Sequence, residues 1–211
     1  MNPRICLVSM LIFLQVAYPA VSLGSQRDLG LVLRDGDILF QVSSSSQSKA
    51  IQLATHSPYS HVGILVTRHG KQFVLEAEKG VELTPLEKWI HRDSRSHFVA
   101  KRVGSLDKTS TIDIRSCLRN TYASYLGKPY DWNFDWSDDR FYCSELVWKI
   151  FHQAYGLQIG KLRRLRDFDF SDPRAKAKLD ERYGNRIPWD EPVISPVDIF
   201  NSDQVHQIFE Q

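Results

Sequence analysis

The chain predicts an α+β fold in which an antiparallel hairpin packs against an amphipathic helix. Residues 60–77 carry the hairpin. Two β-branched, apolar runs, Ser60–Thr67 and Gln72–Ala77, flank the turn signal Arg68-His69-Gly70-Lys71. The helix starts at Cys143, from which apolar side chains fall at Leu146, Val147, Ile150, Phe151 and Ala154, the i, i+3, i+4, i+7 spacing of one helical face. Gly156 supplies its C-terminal stop. Length points the same way: 211 residues, less a leader, sustain one well-cored domain rather than two.

The leader reads as a secretory signal. Arg4 gives a basic start, Ile5–Val16 an apolar stretch, and Ala20-Val21-Ser22 the small residues that a signal peptidase reads. The apolar run falls short of the roughly 20 residues of a membrane-spanning helix. Residues 1–22 are therefore expected to be removed, leaving one domain over residues 23–211. Those 189 residues carry 26 basic and 25 acidic side chains. So even a balance offers no electrostatic case for nucleic acid or an anionic membrane as partner. Cys117 and Cys143 are the cysteines left, too few for a disulfide framework. Were they to pair, Cys143 would be lost as a nucleophile.

Taken in order, Asp35-Gly36-Asp37 reads as a turn leading into a strand, with Asp37 a turn residue. The Ser43–Ser48 tract reads as a loop. Cys117 falls in the apolar pattern of Ile114, Leu118 and Tyr122 and reads as helix core. Tyr130, Trp132, Phe134 and Trp136 alternate with Asp131, Asn133 and Asp135, the period of an extended segment with an aromatic and an acidic face. Such a strip either packs over the core or walls a cleft for an apolar or amine-bearing substrate. Residues 161–186, with nine basic and five acidic side chains, read as a solvated, partly helical face. Pro188, Pro192 and Pro196 mark an irregular, extended approach to the C-terminus.

The chemistry centres on Cys143. A cysteine in the first turn of a helix feels the positive end of the macrodipole, which favours the nucleophilic thiolate. It needs a base, and the hairpin offers one. Alternation puts Val62, Ile64 and Val66 on one face and His61, Gly63 and Leu65 on the other. With His69-Gly70 as a two-residue turn, paired positions sum to 139, so Gly63 lies opposite Glu76 and His61 opposite Glu78. Both glutamates share the face of His61, with Glu76 on its diagonal. A carboxylate there would hold the imidazole tautomer and stabilise the imidazolium. Simple register leans to Glu78 and leaves Glu76 open.

Five motifs in order carry a resemblance: Gly36-Asp37-Ile38-Leu39-Phe40, Tyr59-Ser60-His61-Val62-Gly63, Leu75-Glu76-Ala77, Leu126-Gly127-Lys128-Pro129-Tyr130-Asp131 and Tyr142-Cys143-Ser144-Glu145-Leu146-Val147. The chain resembles, over nearly its whole mature length, the YiiX-like family of permuted papain-fold amidases. These are relatives of NlpC-type cell-wall peptidases and of lecithin:retinol acyltransferase-like enzymes. His61 precedes Cys143 by 82 residues, the order that the permutation requires. The resemblance implies a barrel-like antiparallel sheet packed against helices. It also implies Cys143 as nucleophile, His61 as base and Glu76, rather than Glu78, as orienting acid. It further implies a peptide, acyl or lipid-derived substrate, peripheral lipid contact, a periplasmic location and no cofactor. The backbone N–H of Cys143 is the natural oxyanion donor. Tyr59 and Tyr142 are candidate hydroxyl donors, and Trp132 a candidate wall of the cleft. Two rival readings stand beside this one. The first is a lipid- or peptide-binding protein with a vestigial thiol site, and the second a metal hydrolase using His56, His61 and Glu76. The spacing of that trio matches no recognised zinc pattern. Oligomeric state is not legible.

Overall fold

The hairpin sits at the middle of a larger sheet. The computed structural model describes residues 32–42, 46–92 and 96–211, and the expected signal segment, residues 1–22, lies outside them. The strands are β1 (Ile38–Gln41), β2 (His61–Arg68), β3 (Lys71–Ala77), β4 (Val81–Pro85), β5 (Phe98–Val103), β6 (Arg163–Arg164), β7 (Pro192–Val193) and β8 (Val205–Glu210). Six of them form one antiparallel sheet in the order β4-β3-β2-β1-β5-β8, while β6 and β7 pair separately. Among the described residues β4 and β8 remain the two edges, so the sheet is open rather than closed into the barrel that the resemblance suggested. The helices are α1 (Ser46–Thr55), α2 (Leu86–Ile90), α3 (Thr111–Tyr122), α4 (Cys143–Tyr155), α5 (Pro173–Tyr183) and α6 (Pro196–Phe200).

Both faces of the sheet are covered. Val62, Ile64 and Val66 of β2 join Leu146, Val147, Ile150 and Phe151 of α4 in the main core. Leu65, from the other face, joins Leu39, Val74, Trp89 and Phe98 under α2. The alternation read from the hairpin thus sorts its residues between two cores. Its register also holds: the pairs run from Arg68–Lys71 to Ile64–Leu75, each summing to 139. His69 and Gly70 both take positive φ, 51° and 73°, as a type I′ turn demands.

Gly63 is needed for close approach. A Cβ there would lie 2.4 Å from Val74 Cγ1 and 2.9 Å from the Leu75 carbonyl oxygen. The strand that carries Glu76 could not then approach as it does. Gly63→Ala is expected to destabilise the fold by about 1–3 kcal/mol, the usual range for overpacking. A lower urea midpoint at unchanged m-value would show it, and an unchanged midpoint would refute the packing account.

Helix α4 ends where expected, with Gly156 at φ 68° and its N–H donating to the His152 carbonyl at 2.8 Å. It is buried more fully than its apolar stripe suggests, since Ser144, Glu145 and Trp148 are buried too. Asp37 does more than turn the chain. It is fully buried, accepts the Arg34 N–H at 2.7 Å and is held by Arg102 from β5 at 2.7 and 2.9 Å.

Three local readings change. The Ser/Gln tract is not all loop, because α1 already starts at Ser46; Ala50, Ile51 and Ala54 gain apolar partners on α5 that stabilise the helix through to its polar first turn. The 130–136 segment is not a regular strand. Asp131 Oδ1 accepts the Asn133 N–H at 2.8 Å and Phe134 takes φ 53°, so local side-chain bonding turns the chain and scatters its aromatic rings. Cys117 is half-buried at the margin of α3, its thiol donating to the Ala154 carbonyl at 3.3 Å, while Ile114, Leu118 and Tyr122 form the core face. The C-terminus is a strand, β8, paired with β5. Cys117 and Cys143 are both free thiols.

Candidate active site

Cys143 is the first residue of α4, following Tyr142 in extended conformation (φ −95°, ψ 165°). Its backbone N–H therefore belongs to the unpaired first turn of the helix. His61 is the first residue of β2, and Glu76 lies one residue from the end of β3. The structure brings these three together: His61 Nε2 lies 2.5 Å from Glu76 Oε2, and Cys143 is near enough to the His61 ring to favour its charged form. With Nε2 committed to the carboxylate, Nδ1 is the ring nitrogen left for the sulfur.

Glu76 is completely buried and saturated with donors. Thr84 Oγ1 donates to Oε1 at 2.5 Å, Trp89 Nε1 to Oε2 at 2.9 Å, and Arg92 embraces both oxygens, Nη1 reaching Oε2 at 2.9 Å and Nη2 reaching Oε1. Burial alone would raise the Glu76 pKa, but His61 and Arg92 together hold it well below the usual carboxylate range. Burial likewise disfavours charge on His61, yet its bonds to Cys143 and Glu76 outweigh that and push its pKa up to about 10. The imidazole is thus built to carry a proton.

Glu78 faces the same way, but it lies past the end of β3. It is 40 % exposed and meets the outer side of Arg92 at 3.3 Å. The diagonal partner wins over the directly opposite one because the β2–β3 ladder stops at Ile64–Leu75. His61 is then free to lean along the strand. Thr84, Trp89 and Arg92 were missed from sequence. Thr84 had a signal, since β4 pairs Glu82 with Glu76 and alternation puts Thr84 on the same face. Arg92 had none: it follows a five-residue helix, outside any periodic pattern.

Cys143 also lines a cavity of about 90 Å³ bounded by α1, α5, the start of α4 and residues 193–196. Of the expected substrate-contact residues, Tyr142 lines it, with its Oη accepting the Ile194 N–H at 3.2 Å. Tyr59 is not among the lining residues and stacks on Phe200 at 4.4 Å. Trp132 is not among them either: it is 57 % exposed, with its ring 4.7 Å from that of Tyr130. The aromatic strip instead contributes Tyr130 and Phe134, while Trp136 packs on Trp148 at 5.3 Å. Tyr130 accepts a hydrogen bond from Gln47 Nε2 at 2.8 Å, which leaves its hydroxyl proton for another partner. Burial and the neighbouring Cys143 raise its pKa.

Among the described residues, one group of potential metal ligands comes together: Glu76, Glu78 and Glu82. Arg92 bridges the first two, and its charge fills the place a cation would take. His56 does not join His61; it pairs with Asp169 at 2.9 Å.

Comparisons with known proteins bear on the family and the fold. A family model described as permuted papain-like amidase enzyme, YaeF/YiiX, C92 family, matches residues 32–209. A protein from Escherichia coli strain K12 that bears the name "Uncharacterized protein YiiX" is 50 % identical over 171 residues, 81 % of this chain and 83 % of that one. A crystal structure titled as metalloprotein yiiX from Escherichia coli O157:H7 superposes with a TM-score of 0.81 at 47 % identity, covering 85 % of this chain and 98 % of the other. With an α+β fold, a cysteine opening a helix and a histidine earlier in the sequence on the sheet, the chain belongs to the permuted papain-like amidases of the YaeF/YiiX family.

Proposed function

We propose that this protein is a secreted, periplasmic cysteine hydrolase that cleaves an amide or ester bond through a thioacyl intermediate, with Cys143 as nucleophile, His61 as base and Glu76 as orienting acid. The observation that carries this reading is the buried Glu76–His61 contact of 2.5 Å, on a ring whose charged form Cys143 also favours. Secretion rests on the leader, residues 1–22.

In the first half-reaction the proton of the Cys143–His61 pair sits on the imidazole, and Sγ attacks the substrate carbonyl carbon. The oxyanion that forms meets the Cys143 N–H and the Tyr130 hydroxyl, which Gln47 leaves free to donate. The tetrahedral adduct collapses, the carbon–nitrogen or carbon–oxygen bond breaks, and the imidazolium gives its proton to the leaving group. In the second half-reaction His61 deprotonates a water that attacks the thioester. The acid is released and the proton returns to sulfur. Glu76 stays ionised throughout, because Arg92 accompanies it.

The related structure is titled a metalloprotein. The residues present here do not fit a resident cation at this site. Both oxygens of Glu76 are taken by protein donors, and a guanidinium occupies the space between Glu76 and Glu78. No step above runs through a metal.

Thiol labelling tests the proposal against the binding-protein reading. Cys143 is buried and Cys117 half-buried, so accessibility alone predicts that Cys117 reacts first. A base-activated site predicts that iodoacetamide at neutral pH modifies Cys143 first, to one equivalent, with the position read by peptide mass spectrometry. Faster modification of Cys117 would leave Cys143 without its activated role.

A further inference from the structure

The wall of the cavity beside Cys143 is largely apolar, and most of its polar groups are already engaged. Ile51, Ala54, Phe134, Phe168, Leu179 and Val193 supply hydrocarbon and ring surface. Most polar lining groups bond other protein groups, the exception being the Tyr130 hydroxyl beside Cys143, whose proton Gln47 leaves free. Thr55 Oγ1 donates to the Ile51 carbonyl at 2.7 Å, Ser144 Oγ to the Ile194 carbonyl at 2.8 Å, and Ser195 Oγ to Asp198. Lys178 is paired with Glu181 at 2.7 Å, and the Arg182 guanidinium lies 3.9 Å from the centre of the Phe134 ring. Beyond the Tyr130 hydroxyl, a peptide entering here would bury most of its N–H and C=O groups without partners, at about 1–3 kcal/mol each. A hydrocarbon chain would bury none.

Size narrows the chain further. The space opens to solvent, and its interior of about 90 Å³ is smaller than the 150 Å³ apolar cavity that holds a six-carbon benzene ring. We propose that this cavity is an acyl subsite and that the substrate is an amide or ester of an aliphatic acid whose first carbons, about four by that scaling, fill it. The carbonyl carbon lies at Cys143 and the alkyl chain points between α1 and α5. This inference rests on the hydrolase reading of Cys143 and adds which side of the scissile bond enters the cavity.

A ladder of p-nitrophenyl esters and p-nitroanilides from acetyl to decanoyl, turned over by the full chain, tests it, with N-acyl dipeptide anilides as competitors and Cys143→Ala as control. Expected is a rise in kcat/KM of about fourfold per methylene, the value of one buried CH₂, to a maximum near butyryl, beyond which added methylenes lie outside the cavity and bring no further gain. Leu179→Ala, which enlarges the cavity, should move the maximum to longer chains, and Ala54→Leu should move it to shorter ones. Opposite shifts cannot both come from general loss of structure, and if Ala54→Leu fails to fold, the Leu179→Ala shift decides. A profile flat in chain length, an optimum unmoved by Leu179→Ala, or faster Cys143-dependent turnover of the peptides overturns the acyl subsite and leaves the hydrolase standing. Turnover equal in the Cys143→Ala control overturns the hydrolase itself, and the acyl subsite with it.

Discussion

Cys143→Ala is expected to lower kcat/KM by about four orders of magnitude or more, the scale seen when the nucleophile of a catalytic triad is removed. What turnover remains should come from the oxyanion donors and binding alone. The fold should survive, because the substitution takes one sulfur from the head of α4 while Leu146, Val147, Ile150 and Phe151 stay packed beneath. Cys117→Ala is the matched control. Its thiol bonds the Ala154 carbonyl at the far end of the same helix, and its loss should leave turnover in place. The variant also has a spectroscopic readout independent of rate. Cys143 is first among the groups that favour charge on His61, so removing the sulfur should lower the His61 pKa, followed by NMR of the ring protons. Retained turnover in Cys143→Ala, at wild-type levels and with protein of the correct mass, would refute the nucleophile.

The parts of the site that could be read from residue order are those set by local periodicity. A turn of two residues at His69-Gly70 fixes the β2–β3 register, and the register puts both glutamates on the His61 face. The apolar stripe from Cys143 and the stop at Gly156 define α4 almost to the residue. What could not be read is set by contacts between segments distant in sequence. Arg92 reaches Glu76 only because α2 folds back over the β3–β4 edge of the sheet. The cavity exists because α1 and α5, more than a hundred residues apart in order, meet over the start of α4. Each of these helices looked polar or irregular by itself, and each was stabilised by the other. The aromatic strip failed for a different reason. Its period of two was real, but Asp131 bonds the Asn133 amide and bends the chain, so alternation in the sequence did not become alternation in space.

Glu76→Gln should be the most damaging change at the site after loss of the sulfur, and for stability the most damaging of all. The substitution keeps shape but removes the charge that balances Arg92 and the His61 imidazolium. It also replaces with an NH₂ one of the two oxygens that five donors now share, three on Oε2 and two on Oε1. Breaking one partner of a buried pair costs about 3–5 kcal/mol, and Glu78, at 3.3 Å from Arg92 on the solvent side, can offset only a small part. The pH dependence should change in a specific way. In the native protein His61 is raised from 6.5 to about 10, so its contribution to stability is complete below pH 6.5 and is lost as pH rises towards 10. Glu76 is lowered from 4.5, so its contribution is present above pH 4.5 and disappears on acidification. Glu76→Gln removes the acid-side dependence of this carboxyl and lowers the His61 pKa. The alkaline limb of kcat/KM, where the enzyme loses the proton it must give to the leaving group, should therefore move to lower pH. Glu78→Gln, at an exposed position, should cost under about 1 kcal/mol and leave that limb where it is. Urea unfolding from pH 4 to 10 and pH–rate profiles of the two variants separate the glutamates. Equal losses in both would mean that Arg92, spanning the two, needs their summed charge rather than the Glu76–His61 bond.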